Sequence, residues 1–327
     1  MLTNLCRAFG INLDLALEAK EIIQGETGQE IPGVQVNKEK YEHAEVTIVK
    51  IVEAYAQTIM GKPIGTYITI EAPVIKDNNP PAHHEITEIL ARQLKPFINI
   101  PEYTNILIVG LGNWRATPDS LGPKVCEQTI VTRHFFNYAP QALKEGMRPV
   151  SALAPGVLGI TGIETAEIIK GVVEKIRPEL IIVIDSLAAR SVNRIGTTIQ
   201  IADTGISPGS GIGNQRAGIN KDSMGVPVIA IGIPTVVHAA VIAHDTVERF
   251  FEKLKNNPEL CQIDKGLGID FSQQIINQVL EPFGSDLTVT PKEIDALIHS
   301  AAKIVAGGIT LMLHPNLTPD DYSFYLH

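Results

Sequence analysis

The middle of the chain alternates between short, continuous apolar runs and longer stretches with helical periodicity. The apolar runs are bounded by turn residues, which is typical of buried strands, and they lie at 106–109, 180–184, 198–202 and 226–231. Amphipathic stretches that predict helices lie at 121–133, 164–176 and 236–254. This order predicts an α/β fold with a mostly parallel sheet flanked by helices on both faces.

The flanking regions carry weaker patterns. Residues 1–20 hold few core signals, and the polar stretch 24–40 is typical of a loop or an edge element. Residues 46–60 and 83–97 have helical periodicity, and 67–75 has strand character. Two late helical segments, 258–284 and 291–306, predict a C-terminal helical extension that covers one side of the sheet.

Composition narrows the class of protein. The formal net charge of the 327 residues is −9, from 27 basic and 36 acidic residues, which disfavours a nucleic-acid partner. Three dispersed cysteines, Cys6, Cys126 and Cys261, predict a reducing cytosol rather than a disulfide framework. The N-terminus lacks a secretory pattern, and no window approaches about 18 unbroken apolar residues, so no membrane association is expected.

Two aspartates follow predicted strands. Asp119 comes after the run 106–109 and a nine-residue loop, and Asp185 follows the run 180–184 directly. Because the carboxyl ends of parallel strands meet at one edge of a sheet, both side chains are expected there. Asp119 is also a good helix cap after Thr117-Pro118, and Asp185 is also suited to closing a turn. Two close carboxylates share one proton, so that one can act as a base and the other as an acid.

Glycine-rich loops offer a second kind of chemistry. Gly110-Leu111-Gly112 follows a strand, but the third glycine of a dinucleotide fingerprint falls on Arg115, and no P-loop string exists, so no cofactor is expected. The loop 205–218, which contains Gly209 and Gly211, is either a flexible connector or a groove where an extended chain lies close to main-chain amides. The loop 154–162 precedes a helix whose N–H groups could polarise a carbonyl oxygen.

His238 lies at a third predicted junction between a strand and a helix. A histidine there is usually a partly buried, hydrogen-bonded residue. Together with Asp119 and Asp185 it would also make a workable set of ligands for a divalent metal. Both interpretations stay open at this point.

Long ordered strings of the sequence resemble the germination protease family of endospore-forming bacteria. The match covers nearly the whole chain. The strings that carry it are LDLALEAKE, GKPIGTYITIEAP (61–73), GLGNWRATPDSLGPKV (110–125), APGVLGITGIET (154–165), IIVIDSLAARSVNRIGTTIQIADTGISPGSGIGN (181–214), GVPVIAIGIPTVV (225–237), VTPKEID (289–295) and LHP (313–315). Strings of this length are far more specific than any of the single motifs.

The resemblance implies a cytoplasmic endopeptidase of the spore core that begins the degradation of small acid-soluble spore proteins during germination. It implies a homotetramer, made as a zymogen that cleaves itself, with a fold similar to the hydrogenase maturation endopeptidases. The catalytic aspartates of the family fall by motif on Asp119 and Asp185. It implies no cofactor, no membrane partner and no direct contact with nucleic acid.

In the family, cleavage follows an acidic residue. The string around Asp14 therefore predicts a cut between Asp14 and Leu15, with residues 1–14 as a propeptide and 15–327 as one α/β peptidase domain. A preference for an acidic residue also requires a basic group in the site. The candidates for binding the substrate are Arg115, Arg190, Arg194 and Arg216, with Gly209 and Gly211 lining the groove.

Two alternatives follow from the same residues. The first is a metal-dependent endopeptidase of the maturation type, in which Asp119, Asp185 and His238 hold a metal. The second is an α/β module that binds a small ligand or a protein without catalysis.

Overall fold

The computed structural model describes residues 14–27, 30–98, 101, 103–138, 147–209, 216–255, 269–280, 282 and 287–316. Within these residues a nine-stranded sheet lies between two layers of helices. The strands are β1 (Val34–Lys40), β2 (Glu45–Ile51), β3 (Gly65–Glu71), β4 (Ile106–Gly110), β5 (Val150–Leu153), β6 (Leu180–Ala189), β7 (Thr198–Ala202), β8 (Val228–His238) and β9 (Thr288–Val289).

The helices follow the same chain order. They are α1 (Ala16–Thr27), α2 (Ala54–Met60), α3 (Pro80–Leu94), α4 (Leu121–Gln128), α5 (Arg133–Tyr138), α6 (Leu158–Thr161), α7 (Thr165–Ile176), α8 (Lys221–Met224), α9 (Ala239–Lys255), α10 (Ile269–Leu280) and α11 (Ile294–Leu313).

The sheet has two halves. Its strand order is β1-β2-β3-β7-β8-β6-β4-β5, with β9 paired to β8. In the parallel half, β5, β4, β6 and β8 run in the same direction. In the antiparallel half, β7 pairs antiparallel with β8, and β3, β2 and β1 continue the alternation. The α/β prediction is confirmed, with an antiparallel half added to the parallel core.

Both faces of the sheet are apolar, as expected for strands that helices cover on two sides. On β4, Ile106 and Ile108 belong to the core beneath α3, α4 and α11. Leu107 and Val109 belong to the opposite core, which also contains residues of α1, α2 and α7. Alternate residues of β4 therefore face the two opposite cores, and α1 covers the face that includes Leu107 and Val109.

Several predicted elements differ from the structure. Residues 46–60 form β2 and α2 rather than one helix, because β2 consists mostly of β-branched residues, which favour strands. The segment that begins at Leu15 is buried, contrary to the expectation of few core contacts in residues 1–20. The apolar runs 180–184 and 226–231 extend to Ala189 and His238, so α9 begins only at Ala239.

Helix α11 is apolar and long enough to cross a membrane on length and composition alone. Most of it is buried in this fold, where it packs against α3 and α4. Its Gly308 allows close contact, since a β-carbon there would lie 2.7 Å from the Leu90 side chain. Its composition is therefore that of a core helix.

Candidate active site

Asp119 and Asp185 meet where β4 ends. Gly110 is the last residue of β4 and pairs with Ile184 of β6, so Asp185 is the first residue of β6 beyond that end. The chain after β4 folds back through a short 3₁₀ turn, Thr117–Asp119. Gly112, with φ of 115°, permits this return, because a β-carbon there would lie 2.0 Å from the Asp119 carbonyl oxygen. The sequence predicts that Asp185 follows the end of its strand, but in the structure Asp185 lies within β6.

Main-chain N–H groups orient both carboxylates. The Asn113 N–H donates to Asp119 Oδ2 at 2.9 Å, and the Ser186 N–H donates to Asp185 Oδ1 at 2.9 Å. Burial raises the pKa of Asp119, while the Asn113 bond and the charge of Arg216 oppose that rise. Asp119 thus remains the more easily ionised member of the pair.

Burial raises the pKa of Asp185 well above its usual value, and the charges of Asp119 and Asp14 raise it further. The Ser186 hydrogen bond and Arg216 oppose this rise only in part. Asp185 is therefore the member of the pair that binds a proton more readily. Such a pair can accept one proton and donate another in the same reaction.

A row of paired residues crosses the sheet at this level. Gln200 of β7 pairs with Gly232 of β8, and Gly232 pairs with Asp185 of β6. Paired residues point to the same face, and strands are spaced about 4.8 Å apart, so Gln200 and Asp185 share a face roughly 10 Å apart. It is the face that α1 covers, since Ala202 and Val183 belong to that core.

The N-terminal segment crosses this row. The Asp14 carbonyl oxygen accepts hydrogen bonds from Lys62 Nζ and from Gln200 Nε2, each at 3.0 Å. The Ala16 N–H donates to Gln200 Oε1 at 2.7 Å, and Leu15 between them is fully buried. The bond between Asp14 and Leu15 is thus fixed on both sides by one glutamine.

The Asp14 side chain points toward β6, where its Oδ2 accepts a hydrogen bond from the Ala188 N–H at 3.0 Å. Its charge also acts on the buried carboxyl of Asp185, whose pKa it raises. The acidic residue before the predicted scissile bond is therefore held beside the aspartate pair, and a main-chain amide of β6 contributes to its recognition.

Glu18, in the first turn of α1, anchors the segment further along. It is fully buried, accepts hydrogen bonds from the Arg190 N–H at 3.1 Å, and forms an ion pair with Arg194 at 3.2 Å. Burial raises the pKa of Glu18 to about 7, against the lowering effect of Arg194. Arg194 also pairs with Glu21 of α1 at 2.9 Å and with Glu71 of β3 at 3.1 Å.

The four candidate arginines have different positions. Arg216 acts electrostatically on both aspartates, and Arg194 binds acidic residues after the predicted cut. Arg190 contributes its main-chain N–H to Glu18, whereas Arg115 is exposed. Only Arg216 is therefore placed by its charge at the aspartate pair itself.

The glycine loops contribute less than the sequence indicated. Gly209 lies in a turn with φ of 72°, and Gly211 lies outside the described residues. The loop 154–162 contains the short helix α6 and leads into α7, and its Gly156 packs against Trp114. The groups that bind the Asp14 carbonyl oxygen are side chains of Lys62 and Gln200, not the start of that helix.

His238 is not brought to the aspartates. It is the last residue of β8, six positions beyond Gly232, which pairs with Asp185, and this places it about 20 Å further along the sheet. Among the described residues, donor atoms of three candidate metal ligands lie within 4.8 Å of one another at Glu42, His43 and Glu85, near the surface. The geometry does not favour the metal site that includes His238.

The sequence did not predict three residues of the site, which are Lys62, Gln200 and Glu18. Gln200 had a usable signal, because it is a long polar residue between two isoleucines in a strand whose five residues are all buried. Lys62 had none beyond its place in a long family-like string. Glu18 is an ordinary acidic residue in the first helical turn, and its complete burial is visible only in the fold.

Comparison with known proteins identifies relatives along nearly the whole chain. The family model described as germination protease matches residues 14–265 and 262–326. The germination protease of Caldanaerobacter subterraneus is 46% identical over 322 residues, covering 97% of this chain and 98% of that protein. That of Clostridium tetani is 44% identical, covering 97% and 99%. That of Bacillus subtilis is 41% identical, covering 97% of each.

Among solved structures, a [NiFe] hydrogenase maturation protease from Thermococcus kodakarensis is similar over part of the chain. The match has 21% identity and a TM-score of 0.27, and it covers 40% of this chain and 74% of that protein.

Proposed function

This chain belongs to the germination protease family, a family of peptidases in spore germination with a protein substrate, and we propose that it starts the degradation of small acid-soluble spore proteins through Asp119 and Asp185. It acts as an endopeptidase of an atypical aspartic type. It is made as a zymogen that cleaves itself between Asp14 and Leu15.

The observation that carries this proposal is the position of Asp14. Its charge raises the pKa of Asp185, and its neighbour Leu15 is buried against the sheet. A surface propeptide would need neither contact. A segment that serves as the first substrate must lie where the reacting groups are, and this arrangement supports self-cleavage at that bond.

The protonation states support a division of roles. Asp119, whose pKa is raised less strongly because Asn113 and Arg216 stabilise its charge, is the base that takes a proton from the attacking water. Asp185, whose pKa is raised well above its usual value, is the acid that gives a proton to the departing Leu15 nitrogen. After the cut the proton redistributes within the pair, so that the cycle closes without another reactant.

The family resemblance extends this proposal to the setting of the enzyme. We place it in the cytoplasm of the spore core and expect a homotetramer. The acidic residue before the scissile bond of a spore protein would take the place of Asp14 beside Ala188 and Asp185.

The test is cleavage of an acid-soluble spore protein by the self-cleaved chain. We expect cuts after acidic residues, a new N-terminus at Leu15, and activity that survives exhaustive chelation. Rescue of a chelated enzyme by one divalent ion would instead favour the metal-dependent alternative. Failure of the trimmed chain to cut any spore protein would favour the binding module.

A further inference from the structure

The carbonyl oxygen of Asp14 is held by two side chains that no aspartate mechanism requires. Lys62, in the turn between α2 and β3, and Gln200, on β7, both donate to it at 3.0 Å. Gln200 lies in the antiparallel half of the sheet, across Gly232 from Asp185, and Lys62 precedes β3 of the same half. In hydrolysis of the bond after Asp14, this is the oxygen on which negative charge develops.

The placement of Lys62 is unfavourable in the ground state. Burial lowers the pKa of its ammonium group, which means that the charge is poorly solvated. The charges of Asp14 and Glu18 oppose this lowering only in part. Once the oxygen becomes negative, the same contact joins two opposite charges and is stronger than the bond to a neutral carbonyl. An interaction that strengthens in this way accelerates the chemical step.

Gln200 cannot turn away from the oxygen. Its Oε1 accepts the Ala16 N–H at 2.7 Å, and this contact fixes the orientation of the amide so that Nε2 faces Asp14. The amide therefore holds the peptide on both sides of Leu15, and its N–H is oriented before the reaction begins.

We infer that Lys62 and Gln200 are further catalytic residues, which stabilise the oxyanion formed when water attacks the carbonyl carbon of Asp14. The inference rests on the proposed cleavage after Asp14. The water oxygen bonds to the carbonyl carbon, its proton moves to Asp119, and the electron pair of the C=O bond moves onto the oxygen held by Lys62 and Gln200. That pair then re-forms the C=O bond as the C–N bond breaks and the Asp185 proton passes to the nitrogen of Leu15.

The experiment measures the first-order rate of self-cleavage of the full chain by intact mass. Lys62→Met removes the donor and keeps most of the side-chain volume, and Lys50→Met, at an exposed position of β2, is the matched control. We expect Lys62→Met to be about 10²–10³-fold slower than wild type, and Lys50→Met to be unchanged. Lys62→Arg, which retains N–H donors, should recover part of the rate.

A second readout separates chemistry from positioning. In an Asp119→Asn background, which holds the chain uncut, hydrogen exchange of amides 14–20 reports whether the segment stays in place. We expect Lys62→Met to leave this exchange nearly unchanged. A more than tenfold faster exchange, matching the loss of rate, would overturn the catalytic role and leave only a positioning one.

The outcomes distinguish this inference from the proposed function. If Lys62→Met cleaves as fast as wild type while Asp119→Asn is inert, the oxyanion role is wrong and the aspartate pair stands. If wild type yields any N-terminus other than Leu15, the proposed cleavage itself is wrong. Should Lys62→Met fail to fold, Gln200→Glu takes its place, since it keeps the acceptor for Ala16 and removes the donor. A Gln200→Glu rate equal to wild type would contradict the inference.

Discussion

The two halves of the sheet serve the bond between Asp14 and Leu15 in different ways. The parallel half supplies carboxylates, Asp119 and Asp185, whose pKa values are set by burial and by main-chain N–H groups. The antiparallel half supplies side-chain donors, Lys62 and Gln200, which contact the peptide itself. In the proposed reaction, proton transfer and binding of the carbonyl oxygen therefore come from separate halves of the sheet, joined by the peptide that crosses them.

Substitutions at the pair in the parallel half should have the largest effect. We expect Asp119→Asn and Asp185→Asn each to slow self-cleavage by about 10⁴-fold, because each removes one of the two proton transfers. Quantitative mass spectrometry of the uncut chain measures the rate. Asp77→Asn, at an exposed position, should match wild type. A rate of self-cleavage close to that of wild type in either variant would show that the pair does not carry the chemistry.

Arg194 connects the two halves, since it binds Glu71 of β3 as well as Glu18 and Glu21 of α1. Arg194→Met leaves the Glu18 carboxylate buried without its cation, so we expect a loss of about 3 kcal/mol in the free energy of unfolding at pH 8. Urea denaturation in an Asp119→Asn background measures it, with Arg115→Met as the exposed control. Adding Glu18→Gln should restore most of the lost free energy of unfolding. A double variant that is as unstable as Arg194→Met would contradict this account.

The pH dependence of the free energy of unfolding should reveal the titration of the Glu18 carboxyl group. Its pKa in the folded chain is about 7, above its usual value of 4.5, so the folded state binds the proton more tightly. The stabilisation by this proton is complete below about pH 4.5 and is lost as pH rises toward 7. The free energy of unfolding of Glu18→Gln, relative to that of wild type, should therefore increase by an amount on the order of 2 kcal/mol from pH 5 to pH 8. A difference that stays constant with pH would contradict the buried, proton-binding state.

Among these variants, Arg216→Gln should have the smallest effect, which is confined to the pH profile of self-cleavage. The charge of Arg216 lowers the pKa of Asp119, so Arg216→Gln should raise that pKa and move the ascending limb of the pH profile for self-cleavage upward by about 1 unit. Arg115→Gln, at an exposed position, should leave the profile in place. A downward shift in Arg216→Gln would contradict the assignment of Asp119 as the base.

The difference between the halves also explains what the sequence could predict. The aspartates follow apolar runs of a parallel sheet, and local pattern is enough to find such positions. That Asp185 lies inside β6 was missed, because the strand continues through a segment whose burial depends on β8 beside it. Lys62 and Gln200 meet only through the antiparallel pairing of β3 with β7, a contact between residues more than a hundred positions apart. Local periodicity carries no information about such pairing.

The helical assignment of residues 46–60 failed for a related reason. Apolar residues there fit a period of two as well as a helical period, and the pairing of β2 with β1 and β3 decides between them. Predictions that rested on the family resemblance, among them the cut after Asp14, the spore-protein substrate and the tetramer, stay predictions.

The central claim is that water, activated by Asp119, attacks the carbonyl carbon of Asp14. Self-cleavage of the full chain in water labelled with heavy oxygen tests it most directly, with mass spectrometry of the released peptide. We predict a single product of residues 1–14 that carries one heavy oxygen atom in its new terminal carboxyl group. Cleavage at another bond, or a product without the label, would contradict the claim.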